Sequence, residues 1–125
     1  MRYILGFISI VIFTAGCATT SYSYKNFELS KKLLASSKEK AEYRGYVSEF
    51  IVSQNQQRLD DDSGCYKIDK GTKVELILTV NKAGMISSSD TSTDSRKAKC
   101  FRKAYIGAKM PAPPFAPIAI NLNMN

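Results

Sequence analysis

The sequence predicts an α+β fold: a helix, an antiparallel β-hairpin, a second helix and a final strand, with a small sheet packed on the helices. Three observations predict it. Apolar residues recur at helical spacing in residues 43–51 and again in residues 96–109. Residues 74–80, VELILTV, alternate as a half-buried strand does, and the glycine turn NKAG follows directly. After four clustered prolines, residues 118–123 alternate once more.

The first of these elements is preceded by segments of another kind. Residues 4–13 are almost wholly apolar and are led by Arg2. That is the pattern of an export signal, with a charged start and an apolar run of about 7–15 residues. A membrane-spanning helix needs about 20 apolar residues. The run ends at Thr14-Ala15-Gly16-Cys17, which resembles the lipobox of bacterial lipoproteins. The resemblance implies that the Cys17 thiol receives a diacylglyceryl group, that cleavage falls before Cys17, and that the freed amine is acylated. Each buried CH₂ then contributes about 0.8 kcal/mol, so several acyl chains hold the protein on a bilayer. An ordinary signal peptide with an accidental cysteine is the plain alternative. Ala18 follows the cysteine, where an Asp tends to keep enterobacterial lipoproteins at the inner membrane, so the expected location is the outer membrane, facing the periplasm. Residues 1–16 are thus read as a signal peptide, 17–25 as a lipidated flexible tether rich in Ser and Thr, and 26–125 as one domain.

Composition narrows the chemistry. The chain has 125 residues and a formal charge of +7. A basic envelope protein favours acidic proteins or lipid phosphates, and export argues against nucleic acid. There is no histidine, which removes the usual general base and the commonest metal ligand. No catalytic residue, metal or cofactor is expected. Once Cys17 is lipidated, Cys65 and Cys100 remain as an even pair in an oxidising compartment. A disulfide between them closes a loop of about 35 residues, for which the chain-entropy model gives roughly 3–4 kcal/mol. Two free thiols, or a metal pair, are the alternatives, the latter short of further His or Cys ligands.

Within the domain, residues 26–40 are compatible with a weakly amphipathic helix. Tyr43, Tyr46, Val47, Phe50 and Ile51 share one face of the next helix, and the acidic turn DDDSG, residues 60–64, ends it. Its three adjacent carboxylates read as a solvated loop, since a calcium loop spaces its ligands. In VELILTV, the set Val74, Leu76, Leu78 and Val80 is expected to face the core, with Glu75, Ile77 and Thr79 opposite. Residues 85–89 form the return strand, whose serines suggest a solvated face. Asp94 or Ser95 caps the later helix. Its apolar arc comprises Ala98, Cys100, Phe101, Ala104, Tyr105 and Ala108. Arg96, Lys99, Arg102, Lys103 and Lys109 form a basic stripe opposite, either a solvated face or a contact surface. Pro111, Pro113, Pro114 and Pro117 enforce an extended path into the last strand, where Ile118, Ile120 and Leu122 alternate with Ala119, Asn121 and Asn123.

Over roughly residues 43–125 this order resembles the C-terminal, periplasmic domain of TolA, from the bacterial Tol–Pal envelope system. The strand VELILTV, the turn NKAGM, Cys100 early in its helix and the run AKMPAPP carry the resemblance. TonB C-terminal domains share the layout more distantly. This chain departs from TolA in having a lipobox and short tether instead of a membrane-spanning helix and long helical arm, and in placing Cys65 in the loop before the strand. The resemblance implies a membrane-anchored protein-binding module that engages cell-envelope proteins, Tol–Pal components among them. An accessory lipoprotein of an envelope assembly or secretion machine is the alternative. A peptidoglycan-acting enzyme is disfavoured, since no nucleophile is paired with a base at a recognisable spacing. The residues expected to bind a partner are Ile118, Ile120 and Leu122 of the last strand, by strand addition at a sheet edge, assisted by Arg102 and Lys103.

Overall fold

A computed structural model describes residues 26–125, and Cys17 with the signal and tether segments lies outside the described residues. The architecture is α+β, with helices α1 (Phe27–Lys38), α2 (Tyr43–Gln57) and α3 (Arg96–Tyr105) around a sheet of β1 (Val74–Val80), β2 (Ile86–Thr91) and β3 (Ile118–Met124). The sheet is antiparallel, in the order β2-β1-β3. Among the described residues, no helix is long and apolar enough to cross a membrane.

The helix ends follow from local chemistry. Ser95 caps α3 by accepting the Ala98 N–H, which satisfies a donor the helix itself cannot. Asp94, the other cap candidate, instead binds Arg102. After Gln57, Arg58 turns left-handed and α2 stops, just ahead of the acidic turn. In that turn Asp62 pairs with Arg58, and Asp60 accepts from the Tyr66 hydroxyl. Between β1 and β2, Asn81 Oδ1 accepts the N–H groups of Ala83 and Met85. Gly84 sits at φ 88°, and a Cβ there would lie 2.3 Å from the Met110 carbonyl oxygen. Only glycine fits that close approach.

Both faces of the sheet are covered, giving three layers. Opposed residues share a face, so Leu76 lies with Thr91, and Ile77 with Asp90. Arg102 of α3 donates to Thr91, which places α3 on the Leu76 face. Ser30 of α1 donates to Asp90, which places α1 on the Ile77 face. Helix α2 is fastened to α3 by the Tyr105 hydroxyl on Gln54 Oε1, at 2.5 Å, and to the following segment by the Tyr46 hydroxyl on the Pro111 carbonyl. Val74, Leu76, Leu78, Val80, Phe50 and Phe101 are buried as expected.

Three expectations are corrected. Ile77, placed with the solvated set, is fully buried because α1 covers its face. The return strand runs Ile86–Thr91 rather than through residues 85–89, and its Ser89, Asp90 and Thr91 are buried between β1 and the flanking helices. The basic stripe loses Arg102, which is 4% exposed. Cys65 and Cys100 form the disulfide, with Cα atoms 5.6 Å apart, tying the short 3-10 turn Cys65–Lys67 to α3.

Candidate binding edge

A three-stranded sheet has two edges, and here they differ. The outer edge of β2 is occupied at its start by residues 107–110. Ile86 N–H donates to the Ala108 carbonyl, Gly107 N–H to the Ile86 carbonyl, and Met110 N–H to the Gly84 carbonyl. Further along, β2 carries the buried charge of Asp90. Covering an edge and placing an inward-pointing charge on it are both ways of blocking strand addition.

The β3 edge is blunted less. Leu76, Leu78 and Val80 stand opposite Leu122, Ile120 and Ile118. Successive residues of an antiparallel strand direct their backbone groups to opposite sides. Ala119 donates its N–H away from β1, to Ser37 Oγ of α1 at 3.1 Å, so Asn121 and Asn123 point outward as well. Among the described residues, the N–H groups of Asn121 and Asn123 meet no acceptor. Met124 ends the strand, and neither proline nor a charged side chain interrupts it.

The side chains named from the sequence occupy different places. Ile118 and Ile120 are buried in the core and Leu122 is half-buried. They hold β3 in place, and only its outer backbone is presented. Arg102 donates to Thr91 Oγ1 at 2.8 Å and to Asp94 Oδ1 at 2.7 Å, so it is a structural strut. That ion pair holds the Asp94 carboxyl below its ordinary range. Lys103, with Lys99 and Lys109, remains exposed, as does Arg96, which pairs with Asp69.

Several residues were not singled out from the sequence. Lys97 is fully buried, and its ammonium donates to the Thr72 carbonyl at 2.7 Å. Asp90 is 1% exposed. Its Oδ2 accepts the Ser30 hydroxyl at 2.5 Å and the Ser88 hydroxyl at 3.5 Å, while its Oδ1 has no partner among the described residues. Burial pushes the Asp90 carboxyl up, against the opposing pull of the two serine hydroxyls and the Arg102 charge. The sign follows from linkage. A carboxyl whose folded pKa is raised favours the folded state below its unfolded pKa, and that advantage disappears as pH rises through the folded value. Asp90→Asn is therefore expected to raise stability at neutral pH. The difference from wild type should shrink as pH falls through the raised pKa of Asp90. Thermal melts of both proteins between pH 3 and 7 check this, and an equal difference at every pH rules it out.

The chemistry elsewhere is sparse. A shallow hollow of about 460 Å³ lies between α2 and Pro111. Its Ser48 hydroxyl donates to the Arg44 carbonyl, and its Ser53 hydroxyl points to Met110 Sδ, so neither is paired with a base. Burial pushes the Tyr46 hydroxyl, on the same helix, up to about 12. Among the described residues, no group of three or more His, Cys, Asp or Glu is placed to hold a metal ion. No protein-family model, no curated protein and no solved structure matches the chain.

Proposed function

We propose that the protein is a lipid-anchored binding module of the bacterial cell envelope, which engages envelope proteins by accepting a strand on the outer edge of β3. The observation that carries this reading is the pair of outward N–H groups at Asn121 and Asn123, which no described residue occupies, on the less blunted of the two edges. Main-chain hydrogen bonds supply affinity in strand addition. The exposed Lys99, Lys103 and Lys109 steer an acidic partner towards the domain, raising the association rate more than the affinity. The lipobox-like Cys17 and the resemblance to the TolA periplasmic domain support the location and the class of partner, Tol–Pal components included. Acylation at Cys17 predicts that Cys17→Ser abolishes metabolic palmitate labelling and leaves precursor unprocessed; a normally labelled mutant rules the anchor out.

The test of the edge is Asn121→Pro. Proline removes the outward donor, and because Asn121 points away from β1 the ladder keeps its bonds. Proline is tolerated on an edge strand for this reason. In-envelope crosslinking followed by mass spectrometry should recover partner proteins with wild type and at least about tenfold less with the mutant, the equivalent of about 1.4 kcal/mol. A mutant of unchanged melting temperature that captures the same partners equally well overturns strand addition.

A further inference from the structure

We propose that α1 is a displaceable strap on the β3 edge. It occupies the Ala119 amide, and when it lifts, the edge offered to a partner grows from Asn121 and Asn123 to Ala119, Asn121 and Asn123. This rests on the strand-addition reading and adds a third binding group, together with the contact that hides it.

Two of the four buried residues of α1 are serines, and Leu33 packs half-buried against the core beside them. The four are Phe27, Ser30, Leu34 and Ser37, so serines alternate with the two apolar anchors. Leu29 is left 64% exposed, and burying it on the sheet is not what holds the helix. The serines make the specific attachments: Ser30 to Asp90 on β2, and Ser37 to Ala119 on β3. Their spacing fits a helix laid obliquely across the sheet. Seven helical residues advance about 10.5 Å at about 1.5 Å each. Asp90 stands opposite Ile77 and Ala119 opposite Thr79, so the path crosses two strand spacings of about 4.8 Å and shifts two residues of about 3.4 Å along them, roughly 12 Å in all and within side-chain reach of that advance. Hence α1 is pinned at its two ends, one pin on each outer strand.

Both pins suit release. At the β2 end, the carboxylate that Ser30 serves has one oxygen with no partner among the described residues, and a partly satisfied buried polar group gains little from being closed in. At the β3 end, Ser37 supplies to Ala119 the same thing a partner strand supplies, an oxygen acceptor. A carbonyl can take over that donor without leaving a buried amide unpaired. At the Ala119 amide, displacement is an exchange of one hydrogen bond for another, and the cost of lifting α1 is the uncovering of Ile77, Phe27 and Leu34. Residues 39–42 lead from α1 to α2 and are the hinge about which α1 would lift. The turn there is held by the Lys40 N–H on the Ser37 carbonyl and the Tyr43 N–H on the Lys40 carbonyl.

Native-state hydrogen exchange on the mature full-length chain tests the strap without a partner. Locally opening units exchange ahead of the global core. The amides of Ala119, Leu33 and Leu34 should share one opening, at least about tenfold faster than that of Leu78 on the central strand. Ser30→Ala is the decisive variant, since it touches neither Ala119 nor Ser37. It should accelerate Ala119 and the α1 amides together, by about tenfold, and keep both ahead of Leu78, whose exchange by global unfolding rises by no more than the same factor. Ser37→Ala, the second variant, should accelerate the amides at the start of α1 as well as Ala119. Ala119 exchanging at the Leu78 rate, or unmoved by Ser30→Ala while α1 speeds up, overturns the strap. The two readings fail separately. A strap that fails leaves the Asn121→Pro result standing, and an edge that fails leaves the exchange pattern unaltered.

Discussion

Replacing Cys65 and Cys100 together by serine is expected to lower the stability of the domain by about 3–4 kcal/mol, from the entropy of a loop this long. The two cysteines are 35 residues apart, and the enclosed chain holds the whole β1–β2 hairpin. Small domains have about 5–15 kcal/mol in total, so the loss removes a large fraction of the fold's margin. The loop before β1 has other ties to α3. The Lys97 ammonium holds the Thr72 carbonyl, Arg96 pairs with Asp69 at 3.1 Å, and the Tyr66 ring meets Phe101 edge-on at 5.2 Å. The Arg96 pair is exposed and contributes little. Buried Lys97 is the stronger rival for the same work. Urea unfolding of the double mutant against oxidised wild type measures the difference. A loss under about 1 kcal/mol, below the typical cost of removing a native disulfide, would mean that Lys97 and Tyr66 already restrict the loop.

How far the sequence could be read depended on which physical signal each residue carried. The alternation in VELILTV gave the central strand, because a β period of two is visible wherever one face is apolar. Counting cysteines gave the disulfide, because few pairings remain for three thiols. The last strand's place at an edge was expected from its terminal position and is observed. The second face of the sheet was harder to see. Ile77 was its one strong apolar signal, and α1 meets that face through Ser30 and Ser37 as well as Phe27 and Leu34, so the hydrophobic pattern marks only part of the contact. In α3 the charge of the side chains obscured the geometry. At about 100° per residue, Arg102 lies about 40° from Ala98, and Lys97 about 40° from Phe101. The helix period alone places both in the buried arc. They stay there because each charged head finds an acceptor, Asp94 and Thr91 for Arg102 and the Thr72 carbonyl for Lys97, while the stems pack as apolar side chains do. The open edge at Asn121 and Asn123 depended on the direction of backbone groups, which pairing register decides and side-chain composition does not.

That register makes a paired test of the two sheet faces possible. Leu76 and Ile77 are adjacent on the central strand, both fully buried, and they point into different layers. Leu76→Ala opens a cavity on the side of α3, which is fixed by the disulfide, by the Tyr105 bond to Gln54 and by the Arg102 strut. Such surroundings relax little, and the expected loss is about 3–5 kcal/mol, in the upper part of the range for a buried Leu. Ile77→Ala opens a cavity under α1. If α1 is attached chiefly by its two serines, it can settle into the space, and the loss falls towards about 2 kcal/mol. Denaturant unfolding of the two single mutants gives both values on one scale. A loss under about 0.5 kcal/mol for Leu76→Ala would contradict its burial altogether. Equal losses at both positions would mean that α1 is as firmly packed as α3, and the polar face of α1 would then be no sign of a weaker hold.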